Sequence, residues 1–101
     1  VKKYLLALCL FLPFVANSTT NCPEAKVQHL QIERDSILVF QEGQNWHLIG
    51  PPSDPGVQAM YSALLSAQMA GKKVIIRFPA GYDCKAYNLS VPALMVRTNN
   101  F

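Results

Sequence analysis

Most of the features that mark an enzyme or a metal protein are missing from this chain. It has three cysteines but no Cys-x-x-Cys pair, so no thiol redox motif is present. His29 and His47 stand in no zinc-binding spacing. Ser36, Ser62 and Ser66 have neither a nucleophile-elbow context nor an identifiable base. Charge is sparse, at 15% of residues, and beyond Lys2-Lys3 the only adjacent pair of cations is Lys72-Lys73. Such a pair after a helix complements the helix dipole and does not make the clustered patch that nucleic acid or an anionic membrane requires. The sequence therefore points to no catalytic residue, no metal, no cofactor, no nucleic-acid partner and no membrane insertion. Repeats, low-complexity tracts and linkers are also absent, and the length suits a single domain.

What is present begins with a leader. Lys2 and Lys3 precede the apolar stretch Tyr4 to Val15, and Ala16-Asn17-Ser18 supplies small residues at a cleavage site. Residues 1–18 are thus expected to be a secretory signal, too short in its apolar run for a membrane span of about 20 residues. Leu8 and Asn21, before Cys9 and Cys22, lack the small side chain that lipid attachment needs. Val1 in place of Met reads as a directly translated alternative start, a bacterial trait. Loss of Lys2 and Lys3 leaves seven cations against six anions, so the formal charge falls from +3 to +1. The expected location is secreted or periplasmic. Cleavage would leave Cys22 and Cys84 alone in an oxidising compartment, where a disulfide is the default. Closing a loop of about 60 residues is worth ~4 kcal/mol in the chain-entropy model.

In the segment 19–101, Ala25 to Glu33 reads as a strand with Leu30 and Ile32 inward. Ile37 to Phe40 is a second strand, apolar enough to be covered on both faces. The Gly-containing connector Glu42-Gly43-Gln44-Asn45 predicts a hairpin into Trp46 to Ile49, which completes an antiparallel meander. Gly50-Pro51-Pro52-Ser53 takes the chain out of the sheet.

Asp54 and Pro55 then specify a helix start, and Gly71 specifies its end. Val57, Met60, Tyr61 and Leu64 share one face at helical spacing, with Leu65 and Met69 extending it to one side. The opposite face, Gln58, Ser62 and Ser66, carries no charge, as expected where copies of a helix pack together. Val74 to Phe78 predicts a fourth strand with Val74, Ile76 and Phe78 on one side. Lys85 to Thr98 predicts a fifth strand, broken or bulged at Pro92, and Asn99 to Phe101 a frayed end.

Three strands, a helix and two further strands suit a β-rich α+β domain: a small five-stranded barrel closed by a helix between strands three and four. This order, with VQHLQIERDSILVF, YSALLSAQMAGKK and VIIRF, resembles the OB-fold B subunits of bacterial AB5 toxins, in particular the subtilase-cytotoxin and pertussis-like branch. The resemblance spans about Pro23 to Val96. It implies a non-enzymatic subunit of a homopentameric ring, with helices lining a pore, an outer face that binds cell-surface glycans, and an A-type enzymatic partner. Thr19-Thr20-Asn21-Cys22 departs from the Tyr/Ser-containing segment of the sialic-acid-binding members, so their glycan residues are not transferred.

Two surface clusters are candidates for ligand binding. Gln44 and Asn45 flank Trp46, whose indole either packs in the core or stacks on a sugar. Tyr82, Asp83, Lys85 and Tyr87 surround Cys84 in a loop that turn formation alone would also explain. The alternative to a ring subunit is a monomeric periplasmic interaction or inhibitor domain, which would leave the Gln58/Ser62/Ser66 face open and expose an apolar patch elsewhere.

Overall fold

The computed structural model describes residues 18–99. The expected leader therefore lies, apart from Ser18, outside the described residues, as do Asn100 and Phe101. Seven strand segments and one helix follow in the order β1 (Thr19–Asn21), β2 (Ala25–Ile32), β3 (Ile37–Gln41), β4 (Trp46–Gly50), α1 (Pro55–Ala70), β5 (Lys73–Pro79), β6 (Asn88–Pro92) and β7 (Met95–Thr98).

The antiparallel meander β2-β3-β4 forms as its alternation and hairpin connector predict. Gly43, at φ 77°, lies in the connector in a conformation that glycine adopts without strain. β5 pairs antiparallel with β1, β2 and β7, while β4 pairs parallel with β6. The kink between β6 and β7 joins the two ends of this path. Ala93 N–H donates to the Leu48 carbonyl of β4 at 2.9 Å, and Leu94 N–H donates to the Arg77 carbonyl of β5 at 2.7 Å. The result is a sheet curled round the core.

Seven segments appear where five strands were expected, for identifiable reasons. Cys22-Pro23-Glu24 interrupts what would be one strand from Thr19 to Ile32, since Pro23 has no N–H to give to the ladder. Cys22 N–H still donates to Ile76 O at 3.0 Å, so β1 and β2 flank the same edge of β5. At the other end the break falls at Ala93-Leu94, just past Pro92, and Lys85 to Tyr87 belong to the preceding turn.

The expected inward face of β2 needs correction. Ala25 and Val27 are buried, Leu30 is half-buried, and Ile32 is 53% exposed. A register shift between Val27 and His29 changes which side chains face inward partway along the strand. Strict alternation from Leu30 and Ile32 cannot anticipate that phase change.

The helix follows its signals closely. Asp54 Oδ1 accepts from Gly56 N–H at 2.8 Å, Pro55 opens the first turn, and Gly71 ends the helix at φ 67°. Lys72 N–H closes the last turn on Ala67 O at 2.9 Å. Val57, Leu64 and Ala67 are buried, and Met60 and Tyr61 pack partly against them. Met69, expected to extend the apolar face, is instead 80% exposed. Beneath the helix lie Val27, Val39, Ile49, Val74, Ile76 and Phe78. Val74, Ile76 and Phe78 share the inner side of β5, as expected, with Ile75 and Arg77 half-buried.

Cys22 and Cys84 form a disulfide with Cα atoms 5.6 Å apart, tying the β1-β2 junction to the loop after β5. Among the described residues, no helix is long and apolar enough to cross a membrane.

Candidate functional site

The two candidate clusters, far apart in sequence, meet at one end of the sheet. Asn45 Nδ2 donates to the Lys85 carbonyl at 3.2 Å, and Asn45 Oδ1 accepts from Trp46 N–H at 2.8 Å. Gln44 Nε2 donates to the Pro23 carbonyl at 2.8 Å, while its Oε1 lies 2.9 Å from His47 Nε2. Each side-chain amide of the connector thus bonds within the chain through both its oxygen and its nitrogen, and both fasten it to neighbouring loops.

His47 is fully buried on the inner side of β4. Because Gln44 directs its oxygen at Nε2, that nitrogen donates, and Nδ1 is left to accept from the Tyr82 hydroxyl at 2.7 Å. Tyr82 is buried as well, its ring stacked on Phe78 at a centroid distance of 3.8 Å, with His47 5.0 Å from Phe78. A neutral chain therefore runs from the Tyr82 hydroxyl through His47 and Gln44 to the Pro23 carbonyl.

Burial pushes the imidazole of His47 down from 6.5 to about 4. Burial first, and the Asp83 charge second, push the Tyr82 phenol up from 10.0 to about 12. Both shifts favour the uncharged forms, so the chain seals the disulfide-bearing end and presents no acid or base to solvent. Asp83 and Lys85 are exposed, and Asp83 Oδ1 accepts from Lys85 N–H at 3.0 Å within the turn.

On the outer side, one rung crosses the meander: His29 pairs with Phe40, and Phe40 pairs with Trp46. Their rings touch, His29 and Trp46 lying 6.1 Å apart at 26° and Phe40 and Trp46 5.5 Å apart at 72°. Trp46 is half-buried in this rung, so its indole is neither a core residue nor an isolated ring. His29 and His47 lie on opposite faces of the sheet and do not meet. Among the described residues, no group of three or more His, Cys, Asp and Glu side chains could hold a metal ion.

The next rung outward joins Gln31 to the aliphatic pair Leu38 and Leu48 and borders a groove of about 400 Å³. Neither rung was singled out from the sequence. Counting alternate residues back from Trp46 and Leu48 across the connector would have placed Phe40 and Leu38 beside them, but the bulge in β2 hides their partners there. Arg77 donates through Nε to Asn21 Oδ1 at 2.8 Å. Gln58, Ser62 and Ser66 are all exposed on α1.

No protein-family model, curated protein or solved structure matches the chain.

Proposed function

We propose that the chain is an exported, non-enzymatic OB-type subunit that assembles through α1 into a ring, homopentameric by the resemblance, and offers its outer face to a glycan or a partner protein. The observation that carries this reading is the surface of the helix. From Pro55 to Ala70 there is no charged residue, yet Gln58, Ala59, Ser62, Ser66, Met69 and Ala70 are exposed. A solvated helix face ordinarily carries Lys and Glu. Small neutral side chains instead allow helices to approach within the 8–10 Å of close packing. A shallow hollow beside Ala63, Ser66 and Ala70 offers a notch for a neighbouring copy.

The strand pairing supports the OB reading. If β1 with β2 and β6 with β7 each count as one bent strand, five strands remain, the third parallel to the fifth, with α1 between the third and fourth. The Cys22–Cys84 bridge is compatible with an oxidising compartment. By the resemblance, such a ring would carry an A-type enzymatic subunit, and any glycan would meet the His29/Phe40/Trp46 rung, where an indole is available for stacking.

Light scattering on the chain from Thr19 onward tests the assembly, with a mass five times that of the protomer expected at micromolar concentration. Ser62→Glu with Ser66→Glu should give monomers of unchanged far-UV circular dichroism. A wild-type monomer would overturn the ring and favour a monomeric interaction domain, for which Ile32, Tyr87 and Leu94 supply exposed apolar surface off the helix. A glycan array tests the sugar separately, and a ring that binds nothing on it leaves the partner protein as the ligand.

A further inference from the structure

The groove on the outer side of the sheet has a composition of its own. Its floor is aliphatic, built from Leu38 of β3, Leu48 of β4 and Leu89 and Pro92 of β6. Tyr87 forms one margin and is 68% exposed. The other margin is the turn between β2 and β3, where Glu33 and Asp35 supply the only acidic side chains of the lining among the described residues. Among the described residues no Lys, Arg or His lines the groove, and Arg34, in the same turn, is exposed and outside it. Glu33 accepts from the Gln31 amide and from the Ser36 hydroxyl, so its carboxylate is held in place without a cation.

We propose that this groove docks a basic segment of a partner polypeptide. An aliphatic side chain of the segment lies on Leu38, Leu48 and Leu89, and a neighbouring Lys or Arg reaches Glu33 and Asp35. Three features select this occupant. The volume of about 400 Å³ falls in the range of formed ligand sites. The two carboxylates repel a sialic acid or a phosphate and attract a cation, whose aliphatic stem also covers apolar surface. The floor offers aliphatic carbon, whereas a pyranose is gripped by an aromatic platform and free amides. The amide in the lining, Gln31, donates to Glu33, and those of the connector, Gln44 and Asn45, also bond within the chain. None of the lining residues belongs to α1, so the docking surface and the assembly face are separate.

The test is a titration of isotope-labelled, disulfide-bonded protein from Thr19 onward, followed by amide and methyl resonances. The probes are acetyl-Leu-Arg-Leu-amide, acetyl-Leu-Glu-Leu-amide and methyl α-galactoside. The arginine peptide should shift Leu38, Leu48 and Leu89, and its Kd should rise with salt. The glutamate peptide and the sugar should leave those signals in place. Glu33→Gln with Asp35→Asn, both in an exposed turn, should raise the Kd of the arginine peptide at least about ten-fold while the rest of the spectrum is retained. Equal response to the two peptides, a response to the sugar alone, or no shift at the three leucines would each overturn the proposal. Because the readout is local, these outcomes are distinguishable from a failure to form a ring.

Discussion

Acidification should unfasten this protein through His47. In the folded chain the imidazole is held near 4, against 6.5 when exposed, so between those values the unfolded state binds the extra proton. Stability is therefore fully present above pH 6.5 and is lost as pH falls towards 4. The whole effect is about 3 kcal/mol, of which roughly 2 kcal/mol should be gone between pH 7 and pH 5. Protonation would also force a second N–H onto Nδ1, turning the Tyr82 hydroxyl from donor to acceptor beside Asp83 and inside an aromatic stack. Among the described residues the groups that face the imidazole are Tyr82, Gln44 and Phe78, none of them a carboxylate. Urea unfolding at fixed protein concentration, followed by circular dichroism at pH 7, 6 and 5, measures the slope. His47→Gln keeps a polar side chain there and removes the titration, and the carboxylates common to both proteins cancel. The variant should be less stable at pH 7 by about 1–3 kcal/mol, the cost of a broken buried polar network. Its stability should fall more slowly with acid than that of the wild type. Parallel curves for the two proteins, or an imidazole in the folded protein titrating near 6.5, would refute the reasoning.

Two further perturbations bear on the scaffold. Replacing both Cys22 and Cys84 with Ser opens a loop of sequence separation 62 and should cost about 4 kcal/mol, read as a lower Tm in the absence of reductant. Unchanged stability would mean that the hydrogen bonds of Gln44 and Asn45 hold that end unaided. Gly50→Ala should destabilise the fold by about 1–3 kcal/mol, because a Cβ there would meet Val57 Cγ2 at 2.5 Å and the residue sits at φ 149°. Adding Val57→Ala should recover little if the backbone angle dominates and most of the loss if the collision does, and urea midpoints distinguish the two.

Legibility in the sequence followed the range of the interaction. The helix is specified by adjacent residues, Asp54-Pro55 at one end and Gly71 at the other, and both caps are present as expected. The Phe40–Trp46 hairpin is also local, set by one glycine-containing connector. The face of β2 was lost because a bulge at Gln28 depends on how β3 sits beside it, and nothing in the alternation of β2 itself marks the place. The short pairing of Thr19–Asn21 depends on β5, more than fifty residues away in sequence. Tyr82 was expected in an exposed loop cluster, and nothing adjacent to His47 in sequence names its partner. Only the fold shows that each is the other's hydrogen-bond partner, which is what makes burial of either tolerable. The outer rungs escaped notice because a strand covered on both sides and a strand with a binding face have the same apolar composition.

The kink at Ala93-Leu94 has a consequence for the order in which the sheet closes. Those two amides serve different strands, Leu48 and Arg77, so the last stretch of chain covers edges laid down much earlier. Until it arrives, β5 lacks its β7 partner and presents an unpaired edge able to recruit a second chain. The segment from Ala93 to Thr98 acts as a latch, and truncation before it should convert a self-contained fold into one that pairs with its neighbours.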